Sequence, residues 1–403
     1  MAGSDPVNIA VISRAPAPYR LHLLRRIVRE LPQVRLHSIF THHVDRAGVA
    51  PWQFDQDESI RPVYFDAHAL RNRWKTWVAF FPLYRRICAY LCEHEVRLVV
   101  LRGYNDPVRM LLVRWARSRA IPLLVVADSN VFAEGRISGW HRLIKRFYLR
   151  WLIRSVAGLM PMGTCGRAYM RVYADHDKPT FLFPYEPDYA ALGDLDPTRV
   201  AEFATEHGLE NGRRRLLYCG RLIPVKCVDV LIDAFLQVAG ERPRWDLVLA
   251  GDGPMRRALE ARIPGHLRGR VKFLGFMQFE AMTSCYNNCD ILVLPSVYEP
   301  WGLVINEAVA SGLAVIATEV VGAAVDLVRH NVNGLIVPPQ NVGALASAIL
   351  EATEGARCER LRAGSAASLK DWRAAADPIQ GLAAAIRYFG LMPDSSDSGG
   401  TVR

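Results

Sequence analysis

The sequence of 403 residues predicts an α/β protein built from two doubly wound, Rossmann-like domains. Short apolar runs alternate with helix-length amphipathic segments in both halves of the chain, a pattern typical of parallel sheets with helices on both faces. The length supports the same prediction, because one hydrophobic core rarely grows beyond about 250–300 residues.

The first half of the chain supplies five predicted strands, each a short apolar run. They are residues 7–13, 34–40, 97–101, 121–127 and 158–161. Pro18 suits the first turn of a helix, so a helix is predicted directly after the loop that follows the first strand.

The second half repeats this alternation after a polar, turn-rich stretch. Its predicted strands are residues 215–219, 246–250, 271–274, 291–294, 314–317 and 335–337, with helices at 228–238, 342–350 and within 356–389. The predicted organisation is therefore an N-terminal domain (1–190), an interdomain linker region (191–213), a C-terminal domain (214–375), a helix crossing back to the first domain (376–392) and a disordered tail (393–403).

The composition is that of a basic globular protein. Its hydrophobic content is 51%, its net charge is +10 and its pI is near 9.3, which favours anionic partners such as phosphorylated ligands, acidic lipid or nucleic acid. The polar start does not resemble a signal peptide, and no run approaches the ~18 apolar residues of a membrane span. We therefore expect a cytoplasmic protein, with reduced cysteines because the eight cysteines form no CxxC pair.

Two carboxylates, Glu299 and Glu307, bracket a predicted transition from strand to helix. The free amides of Gly302, Leu303 and Val304 would point outward there, and the helix dipole would favour an anion. Such a site at a strand end suits a ligand with a phosphate and several hydroxyls, such as a nucleotide sugar. The alternative is a surface helix with ordinary acidic residues.

Two cations, Arg221 and Lys226, lie on the loop that opens the second domain. Together they would clamp a diphosphate, and cations at a helix start are otherwise unfavourably placed against the dipole. The alternative is a pair of solvated side chains. Gly251 begins a tight strand-to-helix turn, where glycine lets the backbone approach a ligand or turn sharply. All these loops follow strand ends and would face one crevice.

Together these motifs resemble the retaining glycosyltransferases of family 4. The resemblance covers residues 214–350 strongly, and residues 16–20 more weakly. The segments that carry it are Gly220-Arg221…Lys226, Gly251-Asp252-Gly253-Pro254, Phe273-Leu274-Gly275, Glu299-x7-Glu307 and Asn333-Gly334-Leu335 with Val337-Pro338. The resemblance implies the GT-B fold, with a donor cleft between an acceptor-side first domain and a nucleotide-sugar-binding second domain.

The same resemblance implies a role for each matching residue. Arg221 and Lys226 hold the donor diphosphate, Glu299 contacts the sugar hydroxyls and Glu307 contacts the ribose. The remaining donor-binding positions are Gly251, Gly302, Leu303, Val304 and, near the base, Phe276. Because cations and amide dipoles stabilise the charge on the leaving diphosphate, neither a metal nor another cofactor is implied.

Two positions depart from the family pattern. Cys227 stands where many members have glycine, and Asp128 follows a strand where many have histidine. Asp128 either replaces that histidine beside the sugar or caps the next segment. Acceptor-site candidates follow the preceding strand and are Arg102, Tyr104 and Asn105.

Basic amphipathic segments mark the first half of the chain. Arginines recur every four residues from Arg142 to Arg154, beside Leu143, Phe147 and Trp151, and residues 71–77 mix cations with aromatics. This pattern suits an anionic membrane surface, or else a solvated helix face whose other side lies in the core. No nucleic-acid-binding module accompanies the charge. The Asp-x-Asp pairs at 55/57, 175/177 and 194/196 are interpreted as loop acids rather than metal ligands.

The sequence thus predicts a retaining hexosyltransferase that moves a sugar from a UDP- or GDP-type donor to a glycan or lipid-linked glycan in cell-surface polysaccharide assembly. It would be cytoplasmic, with peripheral contact at the inner membrane face left open. One alternative is a noncatalytic nucleotide-sugar-binding regulatory subunit, against which the intact Glu299, Glu307, Arg221 and Lys226 argue. Another is a Rossmann-type oxidoreductase, against which the missing G-x-G-x-x-G turn argues.

Overall fold

The computed structural model describes most of the chain in two compact units. The described residues are 5–42, 52, 57–65, 76–132, 139–174, 178–193, 195–210 and 212–393. Unit 1 comprises Met1–Tyr185 and Ala376–Arg403, and unit 2 comprises Glu186–Ala375.

Unit 1 contains one parallel sheet and its flanking helices. The strands are β1 (Val7–Ser13), β2 (Val34–Phe40), β3 (Pro62–Tyr64), β4 (Leu98–Arg102), β5 (Leu123–Ala127) and β6 (Gly158–Pro161). The helices are α1 (Pro18–Glu30), α2 (Thr76–Glu93), α3 (Pro107–Ser118), α4 (Gly139–Ser155) and α5 (Thr164–Arg171). The strand order is β3-β2-β1-β4-β5-β6. The central strands are almost wholly buried, as expected for a parallel sheet covered on both faces.

Unit 2 repeats this architecture. Its helices are α6 (Tyr189–Gly193), α7 (Pro197–Glu206), α8 (Val228–Val238), α9 (Arg256–Ala261), α10 (Phe279–Asn287), α11 (Leu303–Ala310), α12 (Gly322–Leu327), α13 (Val342–Ala352) and α14 (Arg357–Ala375). Its strands are β7 (Arg214–Cys219), β8 (Trp245–Ala250), β9 (Val271–Gly275), β10 (Ile291–Leu294), β11 (Ala314–Thr318) and β12 (Gly334–Val337). The order is β12-β11-β10-β7-β8-β9, and the pairings are parallel. The last helix, α15 (Pro378–Tyr388), belongs to unit 1.

The strand order creates one switch point in each sheet. In unit 1 the chain leaves β1 for β2 on one side and later returns to β4 on the other. In unit 2 the same reversal separates β7 from β10. Open α/β sheets bind ligands in the crevice beyond the strand ends at this point. The two sheets confirm the predicted fold class and fix where each unit would bind a ligand.

The structure differs from the sequence prediction in short elements. β3 was not predicted, because three residues beginning with Pro62 show no recognisable alternation of apolar and polar side chains. The predicted linker region 191–213 contains α7, whose N-terminus Asp196 caps by accepting from the Thr198 amide, and it falls inside unit 2. The predicted C-terminal helix, 376–392, contains α15 and falls in unit 1. Residues 394–403 of the predicted tail lie outside the described residues.

Candidate functional site

The loop after β7 carries the two predicted cations of unit 2. Arg221 is exposed, and its carbonyl accepts a hydrogen bond of 2.9 Å from the Tyr218 hydroxyl. A short 3-10 helix, Pro224–Lys226, follows and ends at Cys227, which has φ +50°. That left-handed backbone favours glycine, so Cys227 keeps the loop shape associated with glycine and buries its thiol.

Lys226 and Glu299 form an ion pair across the switch point of unit 2. Lys226 follows β7, whereas Glu299 follows β10, the neighbouring strand in the sheet. Both side chains are largely buried, with relative exposures of 18% and 14%. The partly desolvated pair places an ammonium and a carboxylate side by side at the crevice. A polar ligand bound there would contact both groups.

The backbone around Glu299 is hydrogen-bonded to the start of α12. The Gly322 amide donates to the Glu299 carbonyl at 3.1 Å, and the Ala323 amide donates to the Trp301 carbonyl at 2.7 Å. A Cβ at Gly322 would lie 2.3 Å from the carbonyl oxygen of Pro300. The close backbone approach therefore requires glycine at 322 and leaves the Glu299 loop little freedom.

The N-terminus of α11 supplies the predicted amides. Gly302 caps the helix with φ +94°, and its carbonyl accepts from the Ile305 amide at 2.9 Å. Within the described residues, the amides of Gly302, Leu303 and Val304 have no hydrogen-bond acceptor, as expected for the first turn of a helix. The positive end of the helix dipole adds to this preference for an anion.

Glu307 lies on α11 in a strongly desolvated position. Its Oε2 accepts a hydrogen bond of 2.6 Å from the Tyr286 hydroxyl. Burial raises the pKa of Glu307 to about 7, and the Tyr286 hydrogen bond partly opposes that rise. Burial also raises the pKa of the neighbouring Cys219 thiol to about 12, so that thiol is neutral. Glu307 is thus the carboxyl group of this region that changes charge near neutral pH.

A polar network behind α11 was missed by the sequence reasoning. The Trp301 indole N–H donates to Asn306 Oδ1 at 3.0 Å, and Asn306 Nδ2 donates to the Tyr189 hydroxyl at 2.9 Å. Asn306 is fully buried, and Trp301 packs against Trp372 with ring centres 5.3 Å apart. The network fixes the loop that carries Glu299. The signal available in the sequence was that Trp301 and Asn306 both lie within the Glu299-x7-Glu307 motif.

The other predicted donor positions have different surroundings. A Cβ at Gly251 would lie 1.9 Å from the carbonyl oxygen of Gly220, so glycine at 251 serves the packing of two strand-end loops. Phe276 follows β9, and 37% of its surface is exposed. A partly exposed aromatic ring at a strand end presents an apolar surface on which a planar group could stack.

Unit 1 has a cavity of about 410 Å³ beyond the ends of β1, β4 and β5. All four residues predicted for this side line it, namely Arg102, Tyr104, Asn105 and Asp128. Sequence reasoning missed the further basic lining residues, Arg14, Arg20 and Arg109. Arg14 and Arg20 flank the loop after β1, and their position after a first strand was the available signal.

The predicted residues of this cavity differ in exposure. Arg102 is 7% exposed, whereas Asn105 and Asp128 are exposed. The Tyr104 hydroxyl shares a hydrogen bond of 3.0 Å with Ser129 Oγ, so this hydroxyl is part of the local packing. Asp128 has an electrostatic interaction with Arg20 and with Arg102. The cavity therefore combines charged groups of both signs with an excess of arginine.

Two of the remaining predictions concern metal and membrane. Asp57 caps the 3-10 helix Glu58–Ile60, and Asp196 caps α7, so both described members of the Asp-x-Asp pairs have structural roles. Residues 55, 175, 177, 194 and 71–75 lie outside the described residues. In the part of the chain that is described, no cluster of three or more His, Cys, Asp or Glu side chains could hold a metal ion. The helices described here include none that is long and apolar enough to cross a membrane.

Residues 213–354 match the model of a family described as glycosyl transferases group 1. This range contains the Lys226–Glu299 pair, α11 and Glu307. It also covers nearly all of the segment, 214–350, in which the sequence motifs lie. The matched part of unit 2 is therefore similar to group 1 glycosyltransferases.

Curated glycosyltransferases are similar to this chain over part of its length. An uncharacterized glycosyltransferase of Methanocaldococcus jannaschii is 37% identical over 145 residues, which are 36% of this chain and 37% of that protein. The alpha-D-kanosaminyltransferase of Streptomyces kanamyceticus is 32% identical over 189 residues, 46% of this chain and 48% of that protein. A glycogen synthase of Mycobacterium tuberculosis is 32% identical over 252 residues, 60% of this chain and 57% of that protein. The alignments thus span less than two thirds of these relatives' lengths.

Solved structures match the fold along nearly the whole chain. Sucrose-phosphate synthase from Thermosynechococcus elongatus has a TM-score of 0.76 at 20% identity, covering 96% of this chain and 100% of that chain. Anabaena HepE, in complex with UDP and glucose, has a TM-score of 0.72 at 18% identity with the same coverage. These likenesses confirm the two-domain GT-B fold.

Proposed function

We propose that this protein is a retaining glycosyltransferase of family 4, of the hexosyltransferase type, that uses a UDP- or GDP-sugar as donor. The observation that carries the proposal is the Lys226–Glu299 pair beside the α11 N-terminus, whose amides at 302–304 have no acceptor among the described residues. The UDP and glucose held by Anabaena HepE support a nucleotide-sugar donor. The acceptor is a glycan or lipid-linked glycan of cell-surface polysaccharide assembly.

The proposed chemistry follows from charge development on the leaving diphosphate. As the glycosidic bond to the β-phosphate breaks, negative charge grows on its oxygens. Arg221, Lys226 and the α11 amides are fixed positive groups that stabilise this charge without reorganisation. Glu299 accepts from the sugar hydroxyls and Glu307 from the ribose. The reaction so described uses no cofactor, and the nucleotide sugar is a substrate.

Glu299→Gln is the central test of catalysis. The neutral amide no longer pairs with Lys226, and it accepts sugar hydroxyls less strongly, so transfer should fall at least about 100-fold with the fold intact. Turnover with UDP- and GDP-sugars and the anomeric configuration of the product by NMR are measured. Glu241→Gln is the matched control, because Glu241 is exposed and lies in a turn. Unchanged turnover of Glu299→Gln, or an inverted product, would contradict the assignment.

Arg221→Ala tests the diphosphate clamp. Removing one charge-assisted contact should weaken nucleoside diphosphate binding about 10–100-fold, measured by calorimetry. Equal affinity would remove Arg221 from the clamp. The alternative of a noncatalytic regulatory subunit predicts nucleotide-sugar binding by the wild-type protein without transfer to any acceptor or hydrolysis of the donor.

We also propose that the protein is cytoplasmic and docks peripherally on the inner face of an anionic membrane through α4. Four large apolar side chains on one face of α4 are exposed, namely Trp140 (67%), Leu143 (56%), Ile144 (54%) and Phe147 (68%). Their spacings of three and four residues place them side by side. Exposed arginines at 142, 146 and 150 supply the complementary charge.

Vesicle flotation tests this docking surface. The wild-type protein should float with phosphatidylglycerol-containing vesicles at low salt and be released by added salt. Trp140→Ser with Phe147→Ser should abolish flotation, whereas the exposed control Val332→Ser should not. Dimerisation through α4, or absence of binding at low salt, would contradict a membrane as the occupant.

A further inference from the structure

The unit 1 cavity contains a buried cation that forms no ion pair among the described residues. Arg102 is 7% exposed and lines the cavity. Its Nε and Nη2 are buried without a hydrogen-bond partner, and no described carboxylate forms an ion pair with it. A desolvated guanidinium with two nitrogen atoms lacking hydrogen-bond partners, and with no ion pair, is unfavourable, so an anionic ligand would relieve this position.

The surroundings hold the Arg102 guanidinium in place. Its centre lies 5.4 Å from the Phe183 ring centre and 5.0 Å from that of Tyr185. The side chain is therefore positioned by aromatic faces, which attract the cation but accept no strong hydrogen bond. Burial lowers the pKa of Arg102, and the charge of Arg20 lowers it further.

The neighbouring side chains add positive charge. Arg20 also lines the cavity; its Nη1 donates to the Ala15 carbonyl at 2.6 Å, and its buried Nε has no hydrogen-bond partner. Four arginines, at 14, 20, 102 and 109, face two aspartates. Asp106 pairs with Arg109, whereas Asp128 is exposed and interacts electrostatically with both Arg20 and Arg102. The cavity thus retains an excess of positive charge.

We propose that the unit 1 cavity binds a phosphoryl group of the acceptor through Arg102 and Arg20. The inference rests on the proposed glycosyl transfer and adds to it the chemical class of the acceptor. That class is a phosphorylated sugar or a lipid-linked diphosphate, both of which present negatively charged phosphoryl oxygens. Arginine suits this ligand, because its planar fork of donors matches phosphate oxygens. The cavity lies at the unit 1 switch point, where such a ligand is expected.

Calorimetric titration of the 403-residue chain with inorganic phosphate tests the proposal. Phosphate should bind the wild-type protein, and Arg102→Gln should weaken that binding at least about tenfold. Arg221→Ala, in unit 2, should weaken UDP binding, and the phosphate titrations are made with UDP at saturation so that the proposed diphosphate site of unit 2 is already occupied. Arg20→Gln is the second variant and should show a loss similar to that of Arg102→Gln, so the test stands even where Arg102→Gln does not fold.

The same experiment separates this proposal from the proposed function. Absent phosphate binding, or equal phosphate affinity in wild type and Arg20→Gln, overturns the anion site even when UDP binds. Absent UDP binding overturns the donor assignment even when phosphate binds. A hexose phosphate and vesicles with a polyisoprenyl diphosphate form two competing arms. Displacement of phosphate by either supports the acceptor assignment and identifies its source, and displacement by neither overturns it.

Discussion

Glu307 combines a hydrogen bond from Tyr286 with a pKa raised to about 7 by burial. Between its ordinary pKa near 4.5 and about 7, the folded protein holds a proton that the unfolded chain has released. Raising the pH through this window therefore lowers the free energy of unfolding, and the loss is complete above about 7. A ligand hydroxyl that donates to the carboxylate would bind better on the alkaline side of the window.

Glu307→Gln should remove this pH dependence. Glutamine does not titrate. Between about pH 4.5 and about pH 8, the free energy of unfolding of the wild-type protein should therefore fall by up to about 3 kcal/mol more than that of the variant. Urea unfolding at both pH values measures the difference. Glu241→Gln, at an exposed turn, serves as the control. Identical pH dependence in wild type and Glu307→Gln would contradict the raised pKa.

Asn306 connects the Trp301 indole to the Tyr189 hydroxyl and is fully buried. Asn306→Ala removes the acceptor of the Trp301 indole N–H and a donor to the Tyr189 hydroxyl, so it should lower stability by about 1–3 kcal/mol. The Glu299 loop, which carries Trp301, should also loosen and lower the rate of transfer. Denaturant unfolding and turnover measure both effects. Full activity with reduced stability would show that the network stabilises unit 2 without positioning Glu299.

At the scale of elements, the site depends on close backbone approach. The Glu299 loop, the start of α12 and the Gly302 cap of α11 meet where side chains would not fit. A Cβ at Gly302 would lie 3.0 Å from Val321 Cγ1 and 3.1 Å from Glu299 Cγ. Glycine here permits both the positive φ of the cap and the contact with Glu299.

Gly322→Ala should disturb this junction. The added Cβ would lie 2.3 Å from the Pro300 oxygen, so the loop must shift, at about 1–3 kcal/mol. Donor affinity should fall together with stability. Gly343→Ala is the matched control, since its Cβ would lie 3.6 Å from the Asn341 side chain and φ is not positive there. Equal stability of both variants would contradict the packing argument.

At the scale of the molecule, the end of the chain belongs to unit 1. Arg26 of α1 donates to Asp377 at 2.8 Å, and Asp377 caps α15. Gly381 approaches the Leu182 backbone so closely that a Cβ would lie 1.8 Å from its carbonyl oxygen. The last helix is therefore part of the packing of unit 1, although more than 180 residues of unit 2 precede it in sequence.

Deleting residues 376–403 should weaken unit 1 selectively. The deletion removes Asp377, one of the partners of Arg26, and the buried apolar face of α15, so amides of β1–β6 should exchange hydrogen faster. Amides of β7–β12 should keep their protection. Hydrogen exchange followed by mass spectrometry measures both sets. Equal acceleration in both units would contradict the assignment of α15 to unit 1.

Much of the fold was readable from the sequence. In parallel sheets covered on both faces, strands are apolar runs, and β1, β2, β6 and β10 have the predicted bounds. The short β3 was not predicted, because three residues show no periodicity. The helix α7 was not predicted, because its segment is rich in turn-forming residues. Motif spacing, which needs no knowledge of tertiary contacts, likewise identified four candidate residues, namely Glu299, Glu307, Arg221 and Lys226.

By itself the sequence determined the fold class, most strand positions and the residues of the unit 2 motifs, because periodicity and turn chemistry are local properties. Only the tertiary structure decided which of them meet. It paired Lys226 with Glu299, 73 positions apart, and gathered Arg20 and Arg102 at one cavity. It also decided that the apolar stripe beginning at Trp140 faces solvent. Periodicity shows that a helix has two faces, but only packing determines which face is covered.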